Sequence, residues 1–388
     1  MQTTGGLDKN GVGADRIDVS VLVPVLNEER HIRASVSAML GQRFAGRVEF
    51  LFVDGGSSDG TRATLLDLAH REPRVRVLDN PRGSTPSGLN IALSHARGRW
   101  VARMDAHTRY PPDYLALAVE RLQRGDTRWV SGPQVATGDG RVSRAVALAL
   151  RTPLGRGGSR KWGTVDGHTN IEYELDSGVF AGVWERETLL EYGGWDEGWP
   201  RNQDSEMAGR FLARGERLIC LPAMAAQYTP RDSLRSLWHQ YLQYGDFREK
   251  TAVRHPHTMR RSHLIAPSLV VTIGAAVGAP RPVRRVARAG LCMYALALAG
   301  AGFRAAADAT DAGDRSAAAL VPVVLAVMHF AHGAGAIKGS IRRGPPLAAI
   351  ATALGARQLA ARFTSPPQPV SAPSLHRSAT GVAPLHDL

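Results

Sequence analysis

Two periodicities divide the first part of the chain. Asp18–Val25 (D-V-S-V-L-V-P-V), Phe50–Val53, Arg74–Leu78 and Trp100–Met104 are short apolar runs rich in β-formers, which predicts buried strands. Between them apolar residues recur at helical spacing. Ile32, Val36, Met39 and Leu40 share one face of a helix, and Ala63–His70 and Leu89–Ala96 read as two more. Alternation of this kind over residues 18–124 predicts an α/β fold, a doubly wound sheet with right-handed crossovers. Further on the pattern loosens. Val130–Val135 reads as a strand, Ala145–Leu150 as a helix, Ser205–Arg214 as a helix, Leu218–Leu221 as a strand and Leu234–Arg248 as an amphipathic helix. Residues 151–170 form a Gly- and Arg-rich loop of functional length.

The last third is different. Leu264–Ala279, Leu291–Gly302 and Ala317–Ile337 are rich in Ala, Val and Leu and nearly free of charge. Only the third approaches the roughly 20 residues a spanning helix needs. Arg281, Arg284, Arg285 and Arg288 precede the second run, Asp308, Asp311 and Asp314 fill the next loop, and Lys338, Arg342 and Arg343 close the third. Positive-inside logic makes the first run interfacial or re-entrant and the other two a hairpin, its acidic loop across the membrane. An amphipathic helix over Leu347–Phe363 and a Pro/Ser-rich disordered tail complete the chain. The expected organisation is a disordered lead-in over 1–16, a catalytic domain over 17–260, a membrane-associated helical region over 261–343, and the amphipathic segment and tail over 344–388.

Charge narrows the partners. Forty-eight Lys and Arg against 35 Asp and Glu leave a formal net charge of +13, which favours an anionic partner. The Arg-flanked apolar runs favour a membrane surface, and no zinc-finger spacing, helix-turn-helix or RNA-binding motif points to nucleic acid. Two distant cysteines, Cys220 and Cys292, make neither a disulfide framework nor a metal knuckle. The N-terminal residues hold no apolar signal-peptide core, which places the enzyme-like part in the cytoplasm.

Three predicted strands end in polar residues: Asn27-Glu28, Asp54 and Asp105. In a parallel sheet those ends share one edge, where such folds bind nucleotides. Turn chemistry explains each carboxylate singly, and Asp59 and Glu28 also suit helix N-termini, but it does not explain their convergence.

The pieces V-P-V-L-N-E-E, F-V-D-G-G-S-S-D-G-T, N-P-R-G-S-T-P-S-G-L-N, R-M-D-A-H, G-G-W-D-E, N-Q-D-S-E and Q-Y-L-Q-Y-G-D-F-R occur in that order. Together they resemble family 2 glycosyltransferases with the GT-A fold over residues 18–250. The C-terminal part, with M-H-F-A-H-G-A-G-A-I-K-G, is similar to the membrane-associated, succinoglycan-type exopolysaccharide branch. The resemblance implies that Pro24, Asn27 and Glu28 line a nucleotide pocket and that Asp54 selects the base, a uracil. Arg82 would bring positive charge to the donor. Asp105 would contact the nucleotide diphosphate through a divalent metal, manganese or magnesium. His107 stands where the family has a second Asp, and it either ligates that metal or bonds a phosphate. Asp204 matches the general base, with Gln203 in place of a neighbouring Glu; Glu206 is a second carboxylate two residues on. Trp195, Asp196 and Trp199 would form an acceptor platform, with Gln203 beside them. Gln240, Tyr244 and Arg248 would close over donor and product, and the missing Gln-x-x-Arg-Trp pattern implies addition of single sugars.

The implied activity is inverting transfer from a nucleotide-sugar, a UDP-sugar first of all, to a lipid-linked saccharide at the cell membrane. Two alternatives share the sequence: a polyprenyl-phosphate sugar synthase, whose acceptor needs no strong base, and a non-catalytic membrane scaffold on a transferase fold.

Overall fold

A computed structural model describes residues 16–163, 171–179 and 181–356. The expected lead-in, the end of the Gly/Arg-rich loop, and the tail beyond 356 lie outside the described residues. The first half follows the alternating pattern: β1 (Val19–Val25), α1 (Ile32–Leu40), β2 (Val48–Asp54), α2 (Thr61–Arg71), β3 (Val75–Asp79), α3 (Thr85–His95) and β4 (Trp100–Arg103). β3, β2, β1 and β4 lie side by side in that order, all parallel. Side chains of a strand alternate between faces. Val21, Val23, Phe50 and Phe52 therefore enter one core layer with Ile32 and Met39, whereas Leu22, Leu51 and Val53 enter the other with Leu89 and Leu93.

The sheet then turns mixed. After β5 (Thr108–Arg109) and α4 (Tyr114–Leu122), the expected Val130–Val135 strand is two strands, β6 (Trp129–Ser131) and β7 (Gln134–Ala136). Gly132-Pro133 divides them: proline has no N–H for a ladder, and a Cβ on Gly132 would lie 1.8 Å from the Met224 carbonyl oxygen. Next come α5 (Arg141–Arg151), α6 (Pro153–Arg156), β8 (Tyr173–Leu175), β9 (Gly182–Glu185), α7 (Arg186–Glu191), α8 (Gln203–Ala213), β10 (Leu218–Cys220) and β11 (Ala226–Tyr228). β9 lies antiparallel between β4 and β6, followed by β10 and β8, while β5, β11 and β7 form a second small sheet. α3 begins four residues earlier than the pattern suggests. Ser84 accepts from the Ser87 N–H, and Pro86 is tolerated in a first turn, where helix N–H groups have no intrahelical partner.

The last elements are α9 (Leu234–Arg254), α10 (Ile265–Gly278), α11 (Arg281–Ala307), α12 (Ala312–Ala318), α13 (Val321–Arg343) and α14 (Leu347–Ala353). Arg261–Gly278, Arg281–Ala307 and Val321–Arg343, at 18, 27 and 23 residues, are each long and apolar enough to cross a membrane. Length therefore does not single out the third: α11 begins inside the basic stretch and is far longer than its uncharged centre. α10 and α11 expose Val271, Val277, Val286, Met293, Leu296 and Phe303. α13, by contrast, is packed along α9. A Cβ on Gly245 would lie 2.0 Å from the His332 carbonyl oxygen, and one on Gly335 would lie 2.0 Å from that of Leu242.

The acidic loop after α11 contradicts the expected hairpin. Arg144 of α5 pairs with Asp311 at 3.3 Å and Asp314 at 3.4 Å, and Arg141 donates to the Ser316 carbonyl. A loop across a bilayer from α5 has no path to these contacts. Of the three acids that suggested otherwise, Asp311 and Asp314 pair with the α/β part and Asp308 pairs with Arg304 of α11.

Candidate active site

The loops after β1 and β2 are sewn together. Asn27 adopts a left-handed φ of 55°, a conformation asparagine tolerates better than most residues. Its N–H donates to Ser57 Oγ at 3.0 Å and its side-chain oxygen accepts from the Ser58 N–H at 2.8 Å. The Glu28 N–H reaches Thr61 Oγ1 at 2.8 Å, and Asp59 accepts from the N–H groups of Glu29 and Thr61. Asp59 is thus a loop tie. Asp54, at the end of β2, is buried; Ser57 Oγ donates to it at 2.6 Å and Arg62 stands 3.7 Å away. A Cβ added to Gly88, in the first turn of α3, would lie 3.7 Å from Pro24 Cβ and 3.1 Å from the Asn80 side-chain nitrogen.

At the centre is Arg103, which the sequence left without a role. It occupies β4 two residues before Asp105, so strand alternation puts both on one face. Its guanidinium donates two bonds to Asp105, at 2.8 and 3.0 Å, and a third to Asp204 at 2.6 Å. The arginine side chain is 3% exposed and Asp204 20%. The Asp105 N–H donates to the Tyr110 hydroxyl at 2.8 Å. Asp204 lies in the first turn of α8, behind Asn202 in its left-handed cap. Burial pushes its carboxyl above the ordinary range; Arg103 opposes the shift and Asp105 adds to it.

His107 sits at the mouth of the same cleft, walled by protein yet 45% exposed, with Nδ1 3.0 Å from Glu28 Oε1. Burial works against its proton, but the Glu28 bond and the Asp105 charge outweigh that and raise its pKa. A histidine tied through Nδ1 to a carboxylate presents Nε2 outward, the arrangement found behind metal-bound imidazoles. Among the described residues no three His, Cys, Asp or Glu side chains cluster closely enough to cage a metal by themselves. The donor set fits a cation shared with ligand oxygens.

Several expected residues sit elsewhere. Trp195 is 1% exposed, packed edge-on against Trp184 in the core, so it is no platform. Its backbone is clamped by Asn90, which donates to the Trp195 carbonyl at 2.8 Å and accepts its N–H at 2.9 Å. Trp199 is buried as well, under Lys250 and Arg254. Asp196 pairs with Arg254 at 2.6 Å, and Arg82 with Glu197, which ties the loop after β3 to the Gly193–Trp199 loop. Glu206 is fully buried among Arg210 and His255, turned away from Asp204. Gln203 opens α8, half-buried beside Asp204. On α9, Gln240 donates to the Tyr244 hydroxyl at 3.0 Å, and Arg248 donates to Ser205 Oγ at 3.3 Å, next to Asp204.

The family model for glycosyl transferase family 2 matches residues 20–172. The succinoglycan biosynthesis protein ExoA of Rhizobium meliloti (strain 1021) is 31% identical over 237 residues, covering 61% of this chain and 70% of ExoA. This chain belongs to glycosyl transferase family 2. A shorter match, 30% identical over 115 residues, covers 29% of the transferase and 44% of an Escherichia coli protein. That relative is the UDP-Glc:alpha-D-GlcNAc-diphosphoundecaprenol beta-1,3-glucosyltransferase WfgD. Among solved structures, the mannosyltransferase PcManGT of Pyrobaculum calidifontis, in complex with GDP-Man and Mn2+, superposes with a TM-score of 0.54 at 20% identity. That superposition covers 85% of this transferase and 89% of PcManGT. The likeness establishes the shared GT-A fold.

Proposed function

We propose that this transferase moves a sugar, with inversion, from a UDP-sugar to a hydroxyl of a lipid-diphosphate-linked saccharide at the cytoplasmic face of the cell membrane. The observation that carries the reading is the clasp of Arg103 on both Asp105 and Asp204, which sets a donor-side and an acceptor-side carboxylate on one buried cation.

Residues 17–260 form the catalytic domain, 261–343 the membrane-associated region, and 344–388 an appendage. Pro24, Asn27, Glu28 and Asp54 line the nucleotide side, where a buried carboxylate favours a base that offers an imide N–H. Arg82 borders the diphosphate. Asp105 and His107 would hold a divalent cation, which supplies charge neutralisation for the departing nucleotide diphosphate. Asp204 takes the proton from the acceptor hydroxyl as that oxygen attacks the anomeric carbon. Its raised pKa makes it a better base than a free carboxylate, and Arg103 fixes its direction. Asp196 and Gln203 border the acceptor, and Gln240, Tyr244 and Arg248 close the site from α9.

A donor screen tests the reading: full-length protein in detergent, nucleotide-sugars one at a time, a membrane lipid extract as acceptor, with manganese and EDTA arms. Manganese-dependent turnover of a UDP-sugar, abolished in Asp105→Ala, is expected. No turnover with any nucleotide-sugar overturns it.

A further inference from the structure

Beside Asp204, where the α/β part meets the apolar helices, three cations gather around a single close ion pair, that of Arg260 with Asp176. Arg248 donates to Ser205 Oγ, one residue from Asp204, and among the described residues it has no ion-pair partner. Arg260 reaches the same place from the segment after α9. It pairs with Asp176, donates to Ser177 Oγ at 3.3 Å and donates to the Gly158 carbonyl at 3.2 Å. The adjoining Gly178 abuts α8, where a Cβ would lie 2.0 Å from the Asp204 carbonyl oxygen.

Lys161 is the third cation. Its carbonyl accepts from the Gln134 N–H at 2.8 Å, and Trp162 bridges to Gln134, so backbone pairing with β7 fixes its place. It lies within electrostatic reach of Arg248, Arg260 and Asp204, and among the described residues no carboxylate lies within ion-pair distance of it. Burial, then the charge of Arg248, pulls its pKa down to about 8; burial and Arg260 pull that of Arg248 down to about 10. Behind Arg248, three residues along α9, Gly245 admits the backbone of His332. His332 Nδ1 is buried without a hydrogen-bond partner among the described residues. Lys161 and Arg248 are half-buried, and among the described residues their side chains meet the Trp162 ring, 5.3 Å from the lysine Nζ, and Ser205 Oγ but no close carboxylate. Crowding like charges with so little compensation is costly, and a folded protein sustains the cost where a ligand repays it at a functional site.

We propose that Lys161, Arg248 and Arg260, backed by His332, form a phosphate site whose ligand is the diphosphate of the lipid-linked acceptor. The position fits the chemistry. The exposed apolar residues of α10 and α11 receive a lipid chain, the cations hold its diphosphate at the seam, and the sugar hydroxyl then meets Asp204. The proposal rests on the lipid-linked acceptor of the preceding section. It also reassigns Arg248 from the donor to the acceptor.

Calorimetric titration of the full chain in detergent tests it, with farnesyl diphosphate, inorganic pyrophosphate and UDP as probes. Lys161→Gln and Arg260→Gln are each expected to weaken farnesyl diphosphate about tenfold, the scale of one charge-assisted hydrogen bond, while UDP affinity and melting temperature stay at wild-type values. Arg248→Lys, which keeps charge but loses the fork, should fall between wild type and Arg248→Gln. Unchanged farnesyl diphosphate affinity overturns the site. A parallel loss of UDP affinity assigns the cluster to the donor diphosphate instead, and pyrophosphate binding as tight as that of farnesyl diphosphate removes the lipid. Cluster-dependent lipid binding in a protein that turns over no UDP-sugar would leave this site standing and sink the donor assignment.

Discussion

Arg103 and Asp204 are joined by a 2.6 Å hydrogen bond between β4 and the first turn of α8, and the same guanidinium holds Asp105. Removing the arginine leaves two carboxylates facing each other in a buried site. Breaking such a pair costs about 3–5 kcal/mol. Arg103→Gln should therefore lower the melting temperature measurably. It should also move the acid limb of kcat/KM to higher pH, because the cation that opposes the upward shift of Asp204 is gone. An unmoved acid limb in a folded variant would mean that Arg103 does not tune the base.

Asp204→Asn keeps the size of the side chain and removes its basicity. Transfer to a sugar hydroxyl should fall by about 10²- to 10⁴-fold, the usual worth of a positioned base, with UDP affinity intact. A lipid phosphate acceptor is already anionic and needs no base. Near-wild-type transfer in this variant would therefore replace the hydroxyl acceptor with a polyprenyl phosphate.

Much of this arrangement was legible in the chain. The strand ends at Asn27, Asp54 and Asp105 converge because parallel strands with period-two burial leave no other arrangement. Arg103 carried a signal as well: a lone charge in an apolar strand, in phase with Asp105, asks for a buried anion. Which anion could not be read, because Asp204 arrives from a helix far along the chain. Trp195 misled for the opposite reason. A Trp beside an Asp in a Gly-rich loop suits an acceptor platform, and only the packing against Trp184 and the clamp from Asn90 turn it inward. The positive-inside pattern around Asp311 failed because the loop spends its charge on Arg144.

Glu28 orients His107 through Nδ1. If the outward Nε2 serves a metal, Glu28→Gln should weaken manganese binding about 10- to 100-fold, as loss of a carboxylate behind a metal-bound histidine does. His107→Ala should weaken it further. Electron paramagnetic resonance of free manganese, titrated in the presence of UDP, reads this without turnover. Equal manganese affinity in both variants and wild type would leave Asp105 without its partner.

The pairing of Arg144 with Asp311 and Asp314 puts the loop after α11 on the side of the α/β part. Ala312→Cys and Ser94→Cys, each in a Cys292→Ala background, report the two places by reaction with a membrane-impermeant maleimide in sealed vesicles. Both should label from the same side. Labelling from opposite sides would restore the spanning hairpin.

Glu249 faces α13 from α9, almost wholly buried, with Ser340 Oγ 3.4 Å away. Burial pushes its carboxyl up to about 7, and Ser340, Arg343 and Arg248 only partly offset it. A carboxyl whose folded pKa exceeds its unfolded value binds more protons when folded, so stability falls as pH rises from the ordinary value of 4.5 through 7. Below that interval both states are protonated and the cost is absent; above it the cost is complete. Glu249→Gln mimics the protonated form. It should stabilise the protein by about 1–3 kcal/mol at pH 8, at 1.4 kcal/mol per unit discounted for relaxation, and by little at pH 5. Thermal unfolding in detergent at the two pH values measures the difference. A gain that is equal at both would trace to packing between α9 and α13, and not to the buried charge.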